Sequence, residues 1–537
     1  MKALCVLYGG RLAPEAFEKL PGEARHHNSV SMALEACGRF TGAAKTVFLG
    51  NEKDRAGLAI SASETVYRSA WTKKIFLEEL SRLSTGFDLI FFSWADCPLL
   101  DPKLASALAE RHMRYSAEYS YADGWPYGFA PELLSPGTAA ILLKILGDDD
   151  GPVERETLFD VIKKDINSFD IETEISPVDL RPYRLSMTAD SKRNLLLVTR
   201  FLEAGFKSAS EAETFITKKP ELLRTLPAFY NIQISGACPQ SCSLCPWPQY
   251  TDGQNMENGI IGSGFMPKAA FGKLMDKIAE FSGDAVIDLS LWGEPALHPD
   301  KLELIRMVLE RPELSLILET SGIGWKNEEL EIIAREASCA APRKNHQAPV
   351  SWIVSLDAFD PGRYREIRGP GFAEARSCAK TLLSLFPHDA YVQAVRVKGF
   401  EDDIENFYRS WKGDELPKLA SGKNQRWLDG SHIIIQKYDD FAGALPKLQA
   451  SDLSPVKRRP CWHVLRDVNI LLNGKVVSCR EDLSALKGKG DRPVSGNVFE
   501  EDLKIIWERG DALYLEHCAS EYKGICAGCD EYYTYNF

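Results

Sequence analysis

From Phe229 to Gln436 the chain alternates short apolar runs with helical stripes, and few folds accommodate that alternation. The strand-like runs are Phe229 to Ser235, Ala285 to Leu291, Leu314 to Leu318, Ser351 to Leu356, Tyr391 to Val397 and His432 to Gln436. Between them apolar residues recur at helical spacing. Phe271, Leu274, Met275, Ile278 and Phe281 form one stripe after Pro267, and Leu302, Leu304, Ile305, Val308 and Leu309 form another. Strand and helix periods taking turns imply βαβ units and a parallel sheet, because parallel neighbours need a long crossover. Six such strands suit an open, partial βα barrel, where chemistry gathers at the C-terminal strand ends. The stripes themselves are core packing and say nothing of a reaction.

The first strand end carries Gly236-Ala-Cys-Pro-Gln-Ser-Cys-Ser-Leu-Cys-Pro-Trp247. Cys238, Cys242 and Cys245, spaced C-x3-C-x2-C, can ligate three irons of a cubic cluster and leave the fourth iron without a protein ligand. An open metal position separates a catalytic site from a closed structural one. The alternative is a zinc knuckle, but zinc sites usually pair two C-x2-C-like elements, and no fourth ligand follows nearby.

This spacing resembles the signature of the radical S-adenosylmethionine (SAM) enzymes. The resemblance implies a 4Fe-4S cluster that binds SAM and cleaves it reductively. Gly293-Glu294-Pro295, after the second strand, resembles the family's glycine–glutamate motif, where acceptors meet the SAM ammonium and a glycine lets the backbone approach closely. Glu319-Thr-Ser-Gly322 occupies the place of a Thr-Asn-Gly-like turn. The resemblance gives Ser355 and Arg368 contacts to the ribose or carboxylate of SAM; otherwise Arg368 is a solvated charge at a helix end. Gln393 and Arg396 lie on opposite faces of the fifth strand, so at most one faces the site. One departure is Leu244, where the family often has an aromatic residue before the third cysteine; Trp247 stands two residues beyond it.

A second cysteine set follows. Cys461, twelve residues, Gly474, four residues and Cys479 precede Cys518 and the pair Cys526-Ala-Gly-Cys529. Leu471-Leu-Asn-Gly-Lys-Val-Val-Ser478 reads as a β-hairpin turning at Asn-Gly, which would bring Cys461 and Cys479 together. The pattern resembles the SPASM/twitch extension of radical SAM enzymes, as do Gly496-Asn-Val-Phe499 and Leu503-Lys-Ile-Ile-Trp507. A full extension supplies seven cysteines for two clusters, and this one has five. The resemblance therefore implies one auxiliary 4Fe-4S cluster on Cys461, Cys479, Cys526 and Cys529. Cys518 stays open as a core thiol, an alternate ligand or a hydrogen-transferring thiol. A four-cysteine zinc site is the alternative for the whole set.

The first 200 or so residues lie outside this core. Leu7-Tyr-Gly-Gly-Arg-Leu12, Lys19-Leu-Pro21, the apolar run Leu89 to Asp96, Trp125-Pro-Tyr-Gly128 and Arg184-Leu-Ser-Met-Thr-Ala-Asp190 together resemble nucleotide-sugar cytidylyltransferases. These are doubly wound α/β folds with ligands at the strand carboxyl ends. That resemblance implies a nucleotide at the glycine–arginine loop and magnesium on Asp96 and Asp190. The loop is short for the family, and Asn194 stands where a second aspartate is common.

The expected organisation is α/β throughout: a nucleotide-diphospho-sugar transferase-like domain over 1–197, a helical linker over 198–226, a partial (βα)6 TIM-like radical SAM core over 227–445, and a SPASM/twitch domain over 446–537. All three parts in this order resemble the spiro-SPASM proteins of spirochaetes. Pro248 to Gly264, Ala340 to Pro349 and Asp414 to Gly430 read as long loops, the first placed to cover a substrate.

Composition excludes some partners. The 537 residues carry 76 acidic against 64 basic side chains, a net −12, which argues against a nucleic-acid partner. No apolar run approaches the roughly 20 residues needed to span a bilayer. The start, Met1 to Gly10, is short for a signal h-region and reads as a buried first strand. Thirteen cysteines in such a chain suggest metal ligation in the cytoplasm over disulfides. Cys5, Cys37 and Cys97 have mostly apolar neighbours and read as core.

The expected activity is SAM-dependent hydrogen abstraction from a peptide or protein, or from a sugar or nucleotide. An electron donor such as flavodoxin or ferredoxin would supply the cluster. The competing class is a nucleotidyltransferase or nucleotide-sugar-binding protein whose clusters sense redox state.

Overall fold

The computed structural model describes residues 1–22, 27–57, 60–251, 262–412, 431–451, 454–455, 457–483 and 494–533. The chain divides into two units, Met1–Thr225 and Leu226–Phe537.

The first unit is built on seven strands: β1 (Ala3–Gly9), β2 (Ala43–Asn51), β3 (Glu64–Arg68), β4 (Leu89–Trp94), β5 (Tyr119–Asp123), β6 (Glu132–Leu134) and β7 (Ile171–Ile175), in the order β3-β2-β1-β4-β6-β5-β7. β1 pairs in parallel with β2 and β4, and every residue of β1 and β4 is buried, as continuous apolar runs in a covered parallel sheet must be. Only β6 runs antiparallel, to β4 and to β5. The helix Pro102–Tyr115 starts at Asp101, whose Oδ1 accepts from the Lys103 and Leu104 N–H groups. Its other oxygen accepts from Ser208 Oγ at 2.8 Å and Ala209 N–H at 2.6 Å. Phe201, Phe206 and Phe215 pack edge-on or tilted against one another, and Phe206 stacks on Phe129. The helical stretch expected as a linker is thus docked onto the first unit, with the division at Thr225.

The second unit holds β8 (Phe229–Ile232), β9 (Ala285–Asp288), β10 (Leu314–Thr320), β11 (Val350–Ser355), β12 (Ala390–Arg396), β13 (Ile433–Lys437), β14 (Asp467–Ile470), β15 (Lys475–Val477) and β16 (Gly496–Asn497). β8 to β13 lie in sequence order, each parallel to the next, and helices such as Lys268–Ser282 and Lys301–Leu309 make the crossovers. Alternate strand residues face different surroundings. Ile287, Leu316, Leu318, Trp352 and Val354 pack with Phe271, Leu274, Leu304 and Val308 of the helices. Phe229, Val286, Ile317 and Ile353 form a separate cluster on the other face.

The C-terminal segment continues this sheet. β14 pairs in parallel with β8, register Asp467↔Phe229 to Ile470↔Ile232, and Asn231 donates to Asn469 Oδ1 at 3.0 Å across the seam. The expected hairpin is β14–β15, closed by Leu471 N–H donating to Lys475 O at 2.8 Å and turning at Gly474 (φ +83°).

Most of Pro248 to Gly264 and all of Asp414 to Gly430, two of the stretches expected as loops, lie outside the described residues. Among the described residues no helix is long and apolar enough to cross a membrane.

Candidate metal and cofactor site

The C-terminal ends of β8 to β13 converge on one cavity of about 260 Å³, into which Cys238, Cys242 and Cys245 all face. The loop carrying them is held from two sides. On one, Glu294 N–H donates to Ala237 O at 2.8 Å. A Cβ on Gly293 would lie 1.8 Å from Ser235 O, so only glycine permits this backbone approach. On the other, Ser243 N–H donates to Ile367 O at 2.8 Å, and Gln240 Nε2 to Tyr364 OH at 2.7 Å. Burial pushes the Cys238 and Cys242 thiols up and raises Cys245 to about 12. Unliganded, these thiols are protonated, and loading a metal on them would release protons.

Glu294 is buried at 2% exposure. Its Oε1 accepts from Thr320 Oγ1 at 2.6 Å and Ala296 N–H at 3.2 Å, and its Oε2 from Ser321 N–H at 2.8 Å and Ser321 Oγ at 2.7 Å. Four donors occupy the four lone-pair sites of the carboxylate, so Glu294 fixes the Thr320-Ser321 turn against the cysteine loop. Burial still leaves its carboxyl above the usual range. Trp292, with φ +43°, stacks on Trp247 at 6.2 Å between ring centroids. A non-glycine residue in that backbone region is strained, and here it aims the Gly293-Glu294 turn.

Arg368 ends the helix Pro361–Arg368 and points inward. Its Nε donates to Gln240 Oε1 at 3.0 Å, and its Nη1 pairs with Asp357. Asp357 (φ +59°) also accepts from Val395 N–H at 2.9 Å. A solvated helix-end charge is therefore not what the structure contains. Ser355 Oγ donates to Glu319 Oε1 at 2.8 Å, and Gln393 Nε2 donates to the same oxygen at 2.7 Å. Gln393 faces the cavity and Arg396 is exposed, as strand alternation requires. Gln393 Oε1 is buried without a hydrogen-bond partner among the described residues, an acceptor left for a ligand. Asp288 lines the same cavity, its carboxyl pushed up to about 7 by burial and by the Glu319 charge. Sequence reasoning singled out neither Asp288 nor Gln240; each is one polar residue in an otherwise unremarkable strand or loop.

The second cysteine set assembles beside this cavity. Cys461, Cys479 and Cys529 act electrostatically on one another, and Cys526 on Cys461, while burial pushes the Cys461 thiol up to about 12 and raises those of Cys479 and Cys529. Glu481 N–H donates to Cys479 Sγ at 3.4 Å and Glu531 N–H to Cys529 Sγ at 3.3 Å, a pattern that favours thiolate. Cys518 closes the helix Asp511–Cys518 and lies beside Tyr522. Two cations are among the residues that link this region to the first cavity. Arg480, next to Cys479, lines it, and so does Lys437, which pairs with Glu531 and with Asp530 at 2.9 Å. Three thiols and four thiols are donor sets suited to iron–sulfur clusters.

In the first unit Asp96 and Asp190 also come together, but around an arginine. Arg155 Nη2 donates to Asp96 Oδ2 at 2.6 Å and Asp190 Oδ2 at 2.8 Å, and Nη1 to Asp96 Oδ1 at 3.2 Å. The guanidinium lies 4.8 Å from the Trp94 ring centroid and 5.1 Å from that of Tyr127. Thr188 Oγ1 and Asn194 Nδ2 donate to Asp190 Oδ1 at 2.7 and 2.8 Å. Burial pushes Asp96 up; Asp190 is held down, against burial, by the Arg155 charge and these hydrogen bonds. As arranged, the pair does not fit magnesium, because a guanidinium fills the place between the carboxylates. Arg11 of the glycine–arginine loop pairs with Glu154.

The chain belongs to the family of an uncharacterized protein of Treponema pallidum (strain Nichols). It is 36% identical to that protein over 389 residues, which cover 71% of this chain and 98% of that one. A second uncharacterized protein of the same organism is 34% identical over 70 residues, 13% of this chain and 32% of its own length. No protein-family model matches. Similar solved structures include BtrN in complex with AdoMet and 2-DOIA (14% identity, 57% of this chain and 94% of that one, TM-score 0.35). Streptococcus suis SuiB bound to precursor peptide SuiA is another (14% identity, 74% and 84% covered, TM-score 0.38). A cytidylyltransferase from Leptospira borgpetersenii also matches (16% identity, 41% and 95% covered, TM-score 0.35).

Proposed function

We propose that the chain is a radical SAM enzyme with one auxiliary iron–sulfur cluster. The observation that carries this reading is the meeting of Cys238, Cys242, Cys245, Glu294, Ser355 and Arg368 at one cavity, at the ends of consecutive parallel strands. Cys238, Cys242 and Cys245 would hold the 4Fe-4S cluster, and Cys461, Cys479, Cys526 and Cys529 the auxiliary one. When bound, the first cluster and SAM supply one-electron cleavage to methionine and a 5′-deoxyadenosyl radical that abstracts hydrogen from substrate.

The chain's own residues then have definite tasks. Gly293 and Glu294 hold the cysteine loop at a fixed distance from the Thr320-Ser321 turn. Arg368, neutralised on one side by Asp357, keeps donors for the carboxylate of SAM. The Glu319–Ser355–Gln393 group offers acceptors suited to ribose hydroxyls. Trp247, Trp292 and Leu291 wall the cavity with apolar surface, which keeps water from a reactive radical. Lys437 and Arg480 join the cavity to the second cysteine set, the route by which an auxiliary cluster would meet substrate.

The substrate is a peptide or protein, or a sugar or nucleotide, with an electron donor such as flavodoxin or ferredoxin as partner. The nucleotidyltransferase alternative is less well supported, since Arg155 occupies the place that magnesium would need. The test is 5′-deoxyadenosine formation from SAM and dithionite. Cys242→Ala should abolish it; undiminished release in that variant would refute the assignment.

A further inference from the structure

We propose that the cavity beside β5 and β6 of the first unit binds, without a divalent cation, a ligand carrying a protonated amine on a ring-bearing or apolar frame. The cavity measures about 290 Å³ and is walled by Tyr119, Tyr121, Trp125, Tyr127 and Phe159. Tyr119, Tyr121 and Phe159 form one continuous ring wall, with centroids 5.8, 6.2 and 6.0 Å apart. The Trp125 indole N–H is buried and has no hydrogen-bond partner among the described residues. A buried donor without a partner marks a place for an acceptor atom on the ligand's frame, apart from its ammonium.

The charges at this cavity decide the class of ligand. Glu132 and Glu156 line it, and the Tyr119 hydroxyl donates to Glu132. Burial lifts the Glu132 carboxyl to about 7, so a cation placed against it would ionise it and form a pair. The cation among the lining residues, Arg155, is already bound to Asp96 and Asp190 and lies against Trp94 and Tyr127. What remains for a ligand is Glu156 and the readily ionised Glu132 carboxyl among aromatic rings. That combination attracts an organic ammonium by ion pairing and by cation–π contact, and offers phosphate no free cation. Because Arg155 supplies the positive charge between Asp96 and Asp190, binding needs no metal.

The test is tryptophan fluorescence and calorimetric titration of the full chain with phenethylamine, in EDTA, beside its neutral counterpart 2-phenylethanol and beside CTP with magnesium. The amine should bind saturably, EDTA should not matter, and the alcohol should bind about tenfold more weakly or not at all. Glu132→Gln should weaken the amine about tenfold with an unchanged circular dichroism spectrum. Tyr121→Leu, which removes ring surface and no charge, should weaken the amine as well. Equal binding of amine and alcohol, undiminished affinity in Glu132→Gln, no saturable amine binding, or CTP binding that requires magnesium would each overturn the proposal.

Discussion

Glu294 and Ala237 are joined backbone to backbone, the Glu294 N–H donating to the Ala237 carbonyl at 2.8 Å. This bond locks the second strand end onto the residue that precedes Cys238. The same contact brings Gly293 so close to Ser235 O that a Cβ would stand 1.8 Å away, against backbone that cannot yield. Gly293→Ala should therefore destabilise the second unit by about 2–3 kcal/mol and impair iron loading. Gly272→Ala, within a helix, is the control, since its Cβ would meet the flexible end of Met307, Sδ at 3.4 Å and Cε at 3.8 Å. Thermal denaturation and iron content of both variants check this.

Arg368 and Asp357 form a buried pair, and removing one charge strands the other. Arg368→Ala should cost about 3–5 kcal/mol, because Asp357 is only 3% exposed. Arg368→Lys keeps the charge and loses the fork that also reaches Gln240, so it should lose less stability while weakening SAM binding. Urea denaturation and SAM titration separate the two effects.

Asp288 predicts a pH dependence. Its folded carboxyl sits at about 7, above the unfolded value near 3.9, so the folded state holds the extra proton in between. Stability from this group is present below about pH 4 and is lost as pH rises toward 7. Asp288→Asn should stabilise the metal-free protein at pH 8, on the order of 2 kcal/mol, with the gain vanishing near pH 4. Denaturation midpoints at the two pH values test the sign.

Cys479 belongs to the second cysteine set alone. Cys479→Ala should lower iron from about eight to about four per chain and leave SAM cleavage detectable. Unchanged iron in that variant would contradict an auxiliary cluster there.

Much of this architecture was legible in the chain. Alternating periods located the six parallel strands, and spacing located Cys238, Cys242 and Cys245 at the first strand end. The Asn473-Gly474 turn announced its hairpin. What local pattern could not show was long-range pairing. Nothing in Asp467–Ile470 signals that it adds a parallel strand beside Phe229–Ile232, more than 200 residues earlier. For the same reason Arg155, in a short polar stretch, gave no sign that it would lie between Asp96 and Asp190. Arg368 shows the opposite case: the family resemblance placed it at the site although its helix-end position alone would have left it in solvent.

The most direct measurement is iron and sulfide content after anaerobic reconstitution, with 5′-deoxyadenosine release from SAM and reductant assayed on the same sample. The account predicts about eight irons per chain together with nucleoside release. Iron without release, or zinc in place of iron, would contradict it.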